Sequence, residues 1–114
     1  MSQATLNDLF FTAARKMVDG ERRIVDVYPR FAKAFSDDAL GSEMSTLADN
    51  ATQHADRLDG VLKDGTGNEA SLDNLGVDAL IREADAVIEA YPKGALRDAA
   101  LTAVVQHIEH YKIA

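Results

Sequence analysis

The stretch LNDLFFTAARKMVDGERRIVDVYPRFAKAF, residues 6–35, decides the fold class. Leu6, Phe10, Ala13, Met17, Ile24, Tyr28, Phe31 and Phe35 recur at the spacing of one helical face. A strand would alternate apolar and polar residues at every second position, and no part of the chain does so cleanly. Thr5 followed by Asp8 resembles a capping box, with Asp in place of the usual Glu, and starts the helix. Pro29 sits inside the pattern. It removes one backbone donor and crowds the preceding turn, which predicts a kink there and not an end.

Working outward, the same period recurs three more times. A second helix over 37–63 starts near Asp37 or Asp38, with Ser36 as its candidate N-cap. Its stripe is Leu40, Met44, Leu47, Ala51, Ala55, Leu58 and Leu62, and the segment 65–68 after it reads as a loop. A shorter helix over 72–91 carries Val77, Leu80, Ile81, Ala84, Val87, Ile88 and Tyr91, and Pro92-Lys93-Gly94 breaks it. The last helix, 95–114, carries Leu101, Val104, Val105, Ile108 and Tyr111 and meets no stop signal. Each stripe must be buried against another, so the expected fold is an all-α, up-down helical bundle forming one domain over 1–114.

Composition narrows the function. The 114 residues include no cysteine, which excludes disulfides, thiol catalysis and cysteine-ligated zinc. A net charge of −7 argues against a nucleic-acid-binding surface. No run of about 18 apolar residues predicts a membrane span, and the N-terminus lacks the order of a signal peptide, so a cytoplasmic protein is expected. Gly65-x-Gly67 has no preceding strand and no Lys-Ser pair, and no Gly-x-Ser-x-Gly elbow occurs.

Several polar residues fall on apolar faces. At ~100° per residue, Glu21 lies about 40° from Met17, on the side of Ile24 and Tyr28. Lys112 lies about 20° from Leu101, close to Val105 and Ile108, with Glu109 at the edge of that face. His54 falls between Leu47 and Leu58, and Asn50 borders the same stripe. An inward carboxylate in a bundle is either a metal ligand or half of an ion pair. His107 and His110 have metal-ligand spacing but point away from the apolar face, toward solvent or a partner.

Three segments carry a resemblance: Thr5-Leu6-Asn7-Asp8-Leu9-Phe10 with Glu21 downstream; Asp56-Arg57-Leu58; and Arg97-Asp98-Ala99-Ala100-Leu101 followed by Ile108-Glu109-His110-Tyr111-Lys112-Ile113-Ala114. Together they resemble the YciF-like branch of the ferritin-like superfamily, small bacterial stress-associated proteins of unsettled biochemistry, over essentially the whole chain. The resemblance implies a carboxylate-rich metal centre, a short crossover helix at 72–91, and a further helix beyond residue 114. It matches Glu21 and Glu109 to ligands, but puts Lys112, Leu47 and Asn50 where the family keeps Glu, His and Glu. A two-metal centre needs about four carboxylates and two histidines.

Two functions fit these residues. The first is a degenerate, non-catalytic ferritin-like domain with a structural or stress-related role through self-association, without cofactor. The alternative is a stress-response protein binding iron or manganese at a dimer interface through Glu21, His54 and Glu109, with His107 or His110 as further candidates. Lys112 is expected to stand in for the metal charge and pair with Glu21, within a chain or across a dimer. A homo-oligomer, a dimer first of all, is expected because the apolar last helix has no cap and the bundle lacks one long member.

Overall fold

The computed structural model describes residues 5–65 and 72–113. Four helices follow in order: α1 (Leu6–Ala34), α2 (Asp38–Gly65), α3 (Leu75–Ala90) and α4 (Ala95–Ile113). The predicted loop at 65–68 lies beyond the described residues after Gly65, as does Ala114.

The ends of the helices show local chemistry at work. Thr5 Oγ1 accepts the Asp8 N–H at 3.0 Å and Asp8 Oδ2 accepts the Thr5 N–H at 3.0 Å, the expected capping box. α1 runs through Pro29 to Ala34 and stops where Phe35 turns extended. Ser36 is not the cap of α2. Asp37 takes that role, its Oδ1 accepting the Leu40 N–H at 3.0 Å, because both polar groups of Ser36 are engaged by Asp98. α3 begins three residues later than expected. Asn74 Oδ1 accepts the Val77 N–H at 3.0 Å, and this cap, not the apolar Leu72, sets the start.

Residue pairs give the helix directions. Arg22 pairs with Asp59 while Gly41 lies against Ala32, so α1 and α2 run antiparallel. Arg23 reaches Asp78 and Arg30 reaches Asp85, so α3 runs parallel to α1. Glu21 meets Lys112 and Tyr28 meets Glu109, so α4 runs antiparallel to α1. The bundle is up-down-up-down. Ile24, Tyr28 and Phe31 of α1 pack with Met44 and Ala51 of α2, Val77, Ile81 and Ala84 of α3, and Leu101, Val104, Val105 and Ile108 of α4.

One end of the bundle is tied by the start of α4. Arg97 donates to the carbonyls of Ala34, Ile88 and Tyr91 at 3.3, 2.9 and 2.7 Å, capping α1 and α3 together. Asp98 accepts the Ser36 N–H at 2.8 Å, the Ser36 hydroxyl at 2.7 Å and the Asp37 N–H at 3.1 Å. The Arg-Asp pair therefore holds the exits of two helices and the entry of a third.

The opposite end is open. Leu6, Phe10, Ala13 and Met17, expected in the core, are exposed, Leu6 at 85%. The cause is length. α1 has 29 residues and α4 has 19, roughly 44 Å against roughly 28 Å. α4 ends level with Glu21, so the apolar face of α1 continues past it. Tyr91 and Tyr111, also expected in stripes, are exposed. The molecule is elongated, 53 × 26 × 20 Å. Among the described residues no helix is long and apolar enough to cross a membrane.

Candidate functional site

The polar residues of the helix seams meet where α4 ends against the middle of α1. Glu21 comes from the middle of α1 and is 5% exposed. Tyr28, two turns further on the same face, is 0% exposed. Glu109 and Lys112 are one turn apart on α4, and His54 approaches from α2. Helical periodicity puts Glu21 with Tyr28, and Glu109 with Lys112, on shared faces, and the antiparallel packing of α2 and α4 against α1 brings them together.

The contacts form a closed set. Lys112 Nζ lies 3.1 Å from Glu21 Oε1 and donates to Glu109 Oε1 at 3.3 Å. His54 Nδ1 lies 2.8 Å from Glu21 Oε2, and the Tyr28 hydroxyl donates to Glu109 Oε2 at 2.6 Å. Each of the four carboxylate oxygens has one partner. The Lys112–Glu21 contact is an ion pair whose direction falls outside hydrogen-bond geometry. The side chains of Glu21 and Lys112 are 7% and 14% exposed, so little water screens them. Burial, followed by the Glu109 hydrogen bond, pushes the Tyr28 phenol far above its ordinary range, which keeps it a donor.

The sequence-derived candidates Glu21, His54 and Glu109 are thus brought together, and Lys112 pairs with Glu21 within one chain as expected. His54 is exposed and touches the outer oxygen of Glu21. Asn50, His107 and His110 are exposed and stand outside this set of contacts among the described residues. Tyr28 was placed in the seam from periodicity, but no sequence signal marked it as the partner of Glu109. Arg97 and Asp98 belong to a segment that carries the family resemblance, yet they act as the clasp described above and not in this set.

A groove of about 620 Å³ opens beside the pair, lined by Met17, Gly20, Glu21, Leu58, Tyr111 and Lys112 among others. Gly20 is required there: a Cβ would sit 2.7 Å from Asn74 Nδ2 and 3.1 Å from Val77 Cγ2. Asn74 uses that space to donate to the Lys16 carbonyl at 3.1 Å while it caps α3.

The residues present do not fit a ferritin-type metal centre. A fixed ammonium stands between the two carboxylates, where it repels a cation. Leu47 and Asn50 supply neither an imidazole nor a carboxylate. Among the described residues no group of three His, Asp or Glu side chains is arranged to hold a metal.

A family model described as Domain of unknown function (DUF892) matches residues 5–114. Protein YciF of Escherichia coli strain K12 is 28% identical over 115 residues, an alignment that takes in 100% of this chain and 69% of YciF. The solved structure described as the crystal structure of the E. coli stress protein YciF superposes with a TM-score of 0.86 at 26% identity, over 96% of this chain and 69% of that one.

Proposed function

The chain belongs to the DUF892 family, a domain of unknown function with a YciF-like, ferritin-like four-helix bundle, and from that premise we propose that it is a non-catalytic cytoplasmic scaffold that acts in a stress-related role through self-association. The observation that carries this is the uncovered apolar face at the open end of the bundle. Leu6, Leu9, Phe10 and Met17 of α1, Val61 of α2, Leu75 of α3 and Tyr111 of α4 are exposed there. Large contiguous apolar patches mark association sites more often than free surface. A two-fold pairing would place the same face of two chains against each other.

Lys112 supports the non-catalytic half of the proposal. Metal-assisted oxygen chemistry requires a bound metal with a vacant coordination position, and the ammonium opposes the first requirement. The same residue counts against the alternative, an iron- or manganese-binding protein using Glu21, His54 and Glu109.

Light scattering across the micromolar range tests the scaffold. A homodimer is expected, and Leu9→Ser with Phe10→Ser should shift it toward monomer with the helical circular dichroism signal retained. A monomer at every concentration overturns the proposal, as does iron oxidation that disappears in Glu21→Ala.

A further inference from the structure

We infer that the open end is covered by the same stretch of a second copy: residues 6–17 of α1 pair antiparallel with residues 6–17 of the partner chain about a two-fold axis. The inference rests on the self-association proposal and names its surface and register.

α1 supplies both halves of the contact. Its apolar stripe at this end reads Leu6, Phe10, Ala13 and Met17, and all four are exposed. Leu6 and Phe10 project from the overhang. Ala13 and Met17 instead line the groove of about 620 Å³, whose other walls include Leu58, Leu75 and Tyr111. The chain cannot fold its own first turns back into that groove, because α1 is one continuous helix from Leu6 to Ala34. A second copy can fill it. With the axis passing between positions 11 and 12, Leu6 falls beside the partner's Met17 and Phe10 beside the partner's Ala13. A large side chain then meets a small one, and symmetry repeats each contact.

Area and charge both favour this occupant. A standard interface takes about 800 Å² from each partner, and the large apolar side chains exposed at this end together offer on the order of that area. The stripe itself carries no charge to desolvate. Asp8 and Arg15 lie about 200° and 180° around the helix from Leu6, on its far side. Lys16 stands at the edge of the groove, exposed, where its ammonium reaches water over an aliphatic stem. The antiparallel direction also opposes the two helix dipoles.

Exchanging the large and the small residue tests the register. Phe10→Ala leaves a hole opposite the partner's Ala13, and Ala13→Phe sets ring against ring. Each should raise the dimer dissociation constant at least about tenfold by sedimentation equilibrium, and the double variant should return it to within about threefold of wild type. A surface that was merely apolar would associate more tightly with Ala13→Phe, which overturns the inference. Cross-linking gives an independent reading, since the chain has no cysteine. Oxidised Leu6→Cys/Met17→Cys should run as a covalent dimer on a non-reducing gel. Each single variant should stay monomeric there, because like positions stand roughly 16 Å apart along the axis. A protein that still dimerises but shows no rescue, or no covalent dimer from the double cysteine variant, overturns the inference and leaves self-association standing. A monomer at every concentration overturns both.

Discussion

Lys112 and Glu21 stand 91 positions apart in the chain and 3.1 Å apart in space, and theirs is the most buried of the ion pairs described in this bundle. Because both side chains are nearly dry, either one alone would leave an uncompensated charge in the seam. Glu21→Gln and Lys112→Met should each cost on the order of 3 kcal/mol by urea unfolding at neutral pH. The double variant should be more stable than the sum of the single losses by at least about 1 kcal/mol. Strictly additive losses would mean that the two groups do not communicate.

Asp98 makes part of the stability depend on acid. Its carboxylate is held below the ordinary value of 3.8, first by the Ser36 N–H, then by the Ser36 hydroxyl, with Asp37 N–H and Arg97 adding to them. A depressed folded value means the stabilisation is complete above about pH 4 and is lost as pH falls through the folded value. The stability gap between wild type and Asp98→Ala should be constant from pH 7 to about pH 4 and close below it. A gap that persists unchanged at pH 2 would refute the assignment.

Tyr28 gives the opposite sign in alkali. Burial and the Glu109 hydrogen bond raise its folded value well above the ordinary 10.0. The neutral phenol therefore stabilises the fold below pH 10, and that contribution fades as pH rises beyond it. The ultraviolet difference between wild type and Tyr28→Phe should show no phenolate step at pH 10 while the protein is folded. The stability advantage of the wild type over the variant should shrink above that pH.

Two glycines in helices should respond in opposite ways. In Gly20→Ala the new Cβ meets Asn74 Nδ2 and Val77 Cγ2, so the α3 cap is displaced. Loss of the cap costs about 1 kcal/mol and overpacking about 1–3 more, which outweighs the roughly 1 kcal/mol gain in helix propensity. Gly60→Ala meets nothing within 4 Å and should stabilise by up to about 1 kcal/mol. Thermal melts of the two variants should move in opposite directions.

The helices and the Glu21–Lys112 pairing were legible in the sequence because both follow from angular position on a 3.6-residue repeat. What periodicity does not contain is distance along the chain. Ser36 reads locally as a cap, but Asp98, 62 residues away, claims it. Leu6, Phe10 and Met17 read as core because their face is apolar, yet burial needs a partner of matching length, and α4 stops short. The site was half legible for the same reason. The charged members stood out against an apolar stripe, whereas Tyr28 looked like any other core aromatic.

The clasp at one end of the bundle and the open face at the other imply a gradient of protection along a single helix. Amides of α1 near Ile24 to Phe31 sit under the core and close to the Arg97–Asp98 tie, so they should exchange with solvent deuterium only on global opening. Those of its first turns, where Leu6, Leu9 and Phe10 are exposed, should exchange through local fraying that leaves the rest folded. Stretching the chain from the open end would then peel α1 and α2 apart turn by turn, like a zipper. Force applied across the clasped end would have to break the carbonyl and carboxylate bonds of Arg97 and Asp98 together. The bundle is thus mechanically polar, soft where it offers a partner a surface and stiff where its own helices are joined.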